Sequence, residues 1–315
     1  MRLAVATSLV IALSTLAAAS APPLPVPRPE QPVSAPAPAK ETKEPGPKPN
    51  DVAKDLFGKS RDAAPMRARA IGFYSKGCVA GAVALPVDGE NWQAMRLSRN
   101  RNWGHPDLIA MLERLAAKAP RVAGWHGILV GDLAQPRGGP MLTGHASHQL
   151  GLDADVWLTP MPDRRLSREE REKMSASMMV RQDRLDIDPA NWKPGHMHVI
   201  RAAAEDPKVE RVLVNAAIKK ALCREAGNDR AWLAKVRPYW GHDYHMHIRI
   251  GCPAGSPDCK DQDPVPGGDG CGAELEQWFR PAIINPPPPK DPPKPKPPLT
   301  MADLPPACRE VLIAR

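Results

Sequence analysis

Residues 144–158 read GHASHQLGLDADVWL, and residues 240–250 read WGHDYHMHIRI. LDADVWL predicts a strand, and YHMHIRI alternates at period two, which predicts another. His148 then falls in the loop entering the first strand, and Asp155, seven residues on, falls inside it. Gly151 between them lets that loop fold back, so that both side chains can meet one ion. In the second window His245 and His247 are two residues apart and share a strand face. A catalytic zinc takes three His or carboxylate ligands and keeps one position open. His148, Asp155 and the His-x-His pair supply that set, leaving one imidazole of the pair for proton transfer. Five of the nine histidines (His145, His148, His242, His245, His247) lie in these two windows.

Working outward, Pro106-Asp107 followed by LIAMLERLAAKA predicts a helix that stops at Pro120. GWHGILVGDLA predicts a strand, and SREEREKMSASMM opens with the capping-box pair Ser167 and Glu170. HMHVIRAAAEDP, ERVLVN and NAAIKKALCREA read as helix, strand, helix. The expected fold is a mixed α+β domain without internal repeats. His196 and His198 are discounted as ligands, because i and i+2 on a helix point about 200° apart. There is no Gly-x-Ser-x-Gly elbow and no His-Glu-x-x-His pair.

The 315 residues include 39 prolines, of which 11 lie between Pro22 and Pro49 and 12 between Pro281 and Pro306. These segments cannot bury enough surface to offset their ordering entropy and read as spacers. Met1-Arg2, the apolar stretch Leu3–Leu16 and Ala17-Ala18-Ala19 form the pattern of a secretory signal peptide, with cleavage expected after Ala19. No other segment is long and apolar enough for a membrane span, so no stable insertion is expected once the signal is removed. The net charge of +8 suits an anionic polymer, while 14 aromatics without a basic run argue against nucleic acid. Six cysteines (Cys78, Cys223, Cys252, Cys259, Cys271, Cys308) with no Cys-x-x-Cys read as disulfides of an exported chain. Cys252 and Cys259 bracket a turn-rich loop and form a local candidate pair; spacing leaves the other pairings open.

GHASHQLGLDADVWL, RVLVNAAIKKALC, KVRPYWGHDYHMHIRIGCP and GDGCGAELEQWF together resemble the penicillin-insensitive murein endopeptidases, within the lysostaphin-type and D-Ala-D-Ala group of zinc peptidases. The likeness runs from GCVAGAVALP, around Cys78, through Cys308. It implies a small antiparallel sheet with flanking helices and long loops, a single domain stapled by Cys78–Cys308, Cys223–Cys271 and Cys252–Cys259. It further implies Zn2+ on His148, Asp155 and His247, with His245 as general base and His242 orienting substrate or the transition state. The implied substrate is peptidoglycan stem peptide in the periplasm, cut at the D-alanyl–meso-diaminopimelyl cross-link. Alternatives of the same fold are a D-Ala-D-Ala carboxypeptidase and a non-catalytic murein-binding protein. The family pattern also suggests a second zinc at a homodimer contact, here on His145, Asp183 and Asp186. Asp186 stands where the pattern has His, which weakens that site. The expected organisation is a signal peptide over 1–19, a disordered leader over 20–65 that can be trimmed without cost, a peptidase domain over 66–284 and a strap over 285–315 tied down at Cys308.

Overall fold

A computed structural model describes residues 46–287 and 296–315; the signal peptide and most of the expected leader lie outside the described residues. In chain order the strands are β1 (Arg69–Phe73), β2 (Lys76–Ala80), β3 (Val83–Ala84), β4 (Trp92–Ala94), β5 (Trp103–Gly104), β6 (Ile128–Val130), β7 (Asp153–Trp157), β8 (Val209–Val214), β9 (Val236–Pro238) and β10 (His245–Ile250). The helices are α1 (Ala53–Phe57), α2 (Pro106–Ala123), α3 (Arg168–Lys173), α4 (Pro194–Ala204), α5 (Ala216–Glu225), α6 (Ala273–Glu276), α7 (Pro281–Ile284) and α8 (Ala307–Ile313). The fold is α+β. Six strands form one sheet in the order β4-β6-β7-β10-β8-β9. Its centre is antiparallel, as expected, but both edge pairs, β4 with β6 and β8 with β9, are parallel. A parallel pair needs a crossover connection, and α2 and α5 provide one at each edge.

Alternation along β7 and β10 divides the sheet into two chemistries. Ala154, Val156, Met246 and Ile248 are fully buried and join Leu108, Met111, Leu112 and Ile218 from the helices in the main core. Burying each such aliphatic side chain contributes about 1.5–3 kcal/mol. The residues between them, Asp153, Asp155, His245, His247 and Arg249, are also buried, on the opposite face. Helix α2 begins at the predicted Pro106, capped by the His105 ring, which accepts from Asp107 N at 3.2 Å. It continues past Pro120 to Ala123, correcting the expected stop. Proline in the last turn forfeits only its own amide bond, and Gly124, at φ 67°, closes the helix by donating to the Pro120 carbonyl. The capping box of α3 forms as expected, with Glu170 N on Ser167 Oγ at 3.2 Å and Ser167 N on Glu170 Oε2 at 2.8 Å.

All three disulfides implied by the family pattern are present: Cys78–Cys308, Cys223–Cys271 and Cys252–Cys259. The first lies in a second core beside Ala53, Phe57, Ile71, Met301 and Val311. That core corrects the expected leader, because residues 46–65 are not a free spacer. Ala53 N donates to Leu299 O at 2.9 Å, Met301 N to Asp51 O at 3.0 Å and Ala302 N to Pro49 O at 2.9 Å, so this segment pairs with the chain leading to Cys308. Arg137 closes the far end by donating to the carbonyls of Val311, Leu312 and Ala314 at the end of α8. Among the described residues no helix is long and apolar enough to cross a membrane.

Phe57 has no exposed surface. Phe57→Ala should therefore cost about 3–5 kcal/mol in denaturant unfolding; an unchanged midpoint would mean that residues 46–65 are detachable after all.

Candidate metal centre

Antiparallel register between β7 and β10 sets His247 opposite Asp155 and Arg249 opposite Asp153. Directly paired residues on one sheet face approach closely enough for side-chain contact. His247 Nε2 donates to Asp153 Oδ1 at 2.9 Å, and Arg249 Nε donates to the same oxygen at 2.6 Å. His247 Nδ1 is 3.1 Å from Asp155 Oδ1. One ring nitrogen is thus pinned by a carboxylate while the other faces Asp155, the arrangement by which metal-binding histidines are oriented.

The loop before β7 brings in the remaining donors. His148 adopts φ 67° and Gly151 φ 68°. A side chain at Gly151 would meet His105 N at 3.0 Å, so the loop can fold back here only on a glycine. His148 N donates to Asp153 Oδ2 at 3.1 Å, tying the strained residue to the strand it precedes. Three imidazole nitrogens then surround one oxygen, Asp155 Oδ1: His247 Nδ1 at 3.1 Å, His148 Nε2 at 3.5 Å and His245 Nε2 at 3.6 Å. His145 Nε2 approaches Asp155 Oδ2 at 3.5 Å and donates to Asp132 Oδ2 at 3.1 Å. The ligand atoms of His145, His148 and Asp155 all lie within 4.8 Å of one another.

Burial by itself would raise the buried carboxylates, yet their basic and hydrogen-bonding neighbours win. Arg249 and His247 hold Asp153 well below the usual range, and His148 and His245 do the same for Asp155. Asp132 is lowered to about 2 by His145 and Arg101 against its own desolvation. Desolvation pushes His148 down and takes His245 to about 4, so both are neutral at pH 7. His247 goes the other way, to about 9, because hydrogen bonds to Asp153 and Asp155 outweigh its desolvation. A cavity in which one imidazole keeps a proton at neutral pH is a cavity that favours a cation. Both ring nitrogens of His148, and Nδ1 of His245, are buried without a hydrogen-bond partner. Such atoms are rare unless something else engages them. A divalent metal fits this donor set.

His148, Asp155, His247 and His245 are therefore brought together, and the ring of His242 lies 4.7 Å from that of His245. Within one chain the set His145, Asp183 and Asp186 is not gathered at one point. Asp183 pairs with Arg181 at 2.7 Å, and Asp186 with Arg224 at 3.2 Å and Lys220 at 3.5 Å, while His145 joins the main centre. His196 is a core residue, accepting from Lys193 N and donating to the Leu158 carbonyl; His198 on the same helix is exposed. Sequence reasoning missed the roles of Asp132, Asp153 and Arg249. Alternation marks Asp153 and Arg249 as facing the same way as Asp155 and His247, and a buried charge there requires a partner.

Asp153→Asn, which weakens the acceptor for His247 and Arg249, should reduce metal affinity about 10–100-fold in competition with a chromophoric chelator. Unchanged affinity would show that Asp153 does not orient the site.

The family model for penicillin-insensitive murein endopeptidase matches residues 70–313. The chain is similar to the penicillin-insensitive murein endopeptidase of Haemophilus influenzae, at 48% identity over 68% of this chain and 74% of that one. It is similar to that of Yersinia enterocolitica at 47% identity over 75% and 85%, and to that of Klebsiella pneumoniae at 45% over 78% and 86%. The match spans both sheet windows and the disulfide-bonded segments around them. By sequence, the chain belongs to the penicillin-insensitive murein endopeptidase family.

Proposed function

We propose that this protein is a zinc-dependent endopeptidase of the periplasm that hydrolyses D-alanyl–meso-diaminopimelyl cross-links in peptidoglycan. The observation that carries the reading is the convergence of His148, His245 and His247 nitrogens on Asp155 Oδ1, with His148 buried and otherwise unpartnered. His148, Asp155 and His247 would hold the zinc, with His145 adjacent to it. When bound, zinc supplies Lewis-acid polarisation of the scissile carbonyl and acidification of a water.

The protein's own residues do the rest. His245 is neutral at pH 7 because its site is desolvated, so it is free to accept the proton of the attacking water. The same imidazole then returns that proton to the departing amine of diaminopimelate. His242 donates from Nδ1 to the Trp240 carbonyl at 2.8 Å, which leaves Nε2 for the substrate. Its ring, edge-on to Tyr239 and next to His245, is placed to orient the peptide by accepting a hydrogen bond at Nε2. No serine acylates in this scheme, so a β-lactam has no nucleophile to trap, which accounts for penicillin insensitivity. Basic excess favours encounter with an acidic polymer, within the limits of salt screening.

Chelation should abolish cleavage of dimeric muropeptides to monomers, followed by mass spectrometry, and zinc should restore it. Activity in a stripped sample would sink the metallopeptidase reading. Release of terminal D-Ala without dimer cleavage would instead identify a carboxypeptidase, and no product from either substrate a binding protein.

His245→Ala should leave the zinc content intact while lowering kcat by about 100- to 10,000-fold, the range of general acid–base catalysis. Loss of metal together with activity would make His245 a ligand.

A further inference from the structure

Beside the histidine centre lies a cavity of about 300 Å³, lined by Arg96, Arg99, Trp157 and Tyr244 together with His145 and His245. The arginines that line it and Arg101 behind Asp132 are not equivalent. Arg96 donates to the carbonyls of Arg171, Glu172 and Met174 and lies over the Trp157 ring, so both its terminal nitrogens are engaged. Arg101, 9% exposed, holds Asp132 at 2.9 Å and the Thr143 carbonyl at 2.9 Å. Arg99 is a third partner of a carboxylate that Arg101 and His145 already engage. It is attached only through Nη1, at 3.0 Å, and is 47% exposed. Its Nε and Nη2 meet no acceptor among the described residues. The cavity wall therefore presents a guanidinium with donors to spare.

The backbone is shaped around this residue. Arg99 ends a single 3-10 turn, Leu97–Arg99, bracketed by two non-glycine residues in the left-handed region, Arg96 at φ 56° and Asn100 at φ 51°. Such conformations persist only where the surroundings over-determine them. Here Ser98 N and Oγ are held by the Glu172 carboxylate, Asn100 Nδ2 donates to Arg61 O, and Trp103 Nε1 donates to Asn100 Oδ1. Strained and pinned on both sides, the turn fixes Arg99 at the wall.

Resting on the function proposed above, we propose that Arg99 binds the free carboxylate of the leaving diaminopimelyl residue. In that cross-link the carbon bearing the scissile nitrogen also bears a carboxylate, so an anion sits two bonds from the reacting amide. Within an ordinary peptide the same position is a neutral amide. A planar guanidinium fork matches a carboxylate, and Arg99 is only two hydrogen bonds from His145, through Asp132. Arg99 is thus a specificity residue that selects a cross-link over an internal peptide bond.

The test compares two dimeric muropeptides, one with this carboxylate free and one with it amidated, on the zinc-loaded enzyme. The wild type should favour the free acid in kcat/KM by about 10- to 100-fold, the worth of a charged hydrogen bond. Arg99→Gln should bring that ratio near one, and Arg99→Lys should leave it between the two. An undiminished ratio in Arg99→Gln, or a wild type that does not discriminate, would overturn the assignment. Arg99→Lys no more selective than Arg99→Gln would also overturn it, because charge would then be irrelevant. Failure of the wild type to cleave either dimer would overturn the endopeptidase reading itself, and this one with it.

Discussion

Asp153 has no exposed surface and accepts from three groups at once: the His148 amide in the loop before β7, and His247 and Arg249 on β10. A carboxylate buried without partners would be forced to neutralise. Here it stays charged because Arg249 and His247 outweigh desolvation. Breaking a buried ion pair costs about 3–5 kcal/mol in such systems. Loop conformation, strand register and the direction of the His247 ring are therefore one constraint.

That constraint works because the sheet has two buried faces of opposite character. Met246, Ile248, Ala154 and Val156 anchor β7 and β10 to the helices, so the polar face cannot slip without turning the core outward. Histidines in this rigid setting keep fixed neighbours. Burial disfavours a charge on His148 and His245, while two carboxylates make the position of His247 favourable for one. Identical side chains are thereby given different affinities for positive charge by environment alone.

The disulfides and chain ends act further out. Cys78–Cys308 joins residues separated by 230 positions, and the segment carrying Phe57 fills the core around that bridge. Thr300 pairs with Val52, and Arg137 caps the last helix. The final residues are thus a structural clamp on β2.

Two short windows made much of this legible. Period-two alternation in YHMHIRI and the strand-like LDADVWL located the central strands, and helix 194–204 explained why His196 and His198 would not share an ion. Cysteine count and compartment established disulfides as a class, and family resemblance supplied their pairing. What stayed hidden depends on partners distant in sequence. Phe57 sits in a polar, proline-flanked stretch whose burial is visible only once residues 299–311 lie against it. Asp132 and Arg99 show no local periodicity; their meaning comes from the loop that carries His145 to them. Likewise Pro120 breaks a helix by local rule, but the last turn of α2 tolerates it within the packed domain. The sequence by itself determined which elements form and which face of each carries the histidines, because those properties repeat along the chain. Only the tertiary structure decided which carboxylate meets which imidazole, because charge pairing depends on distance in space.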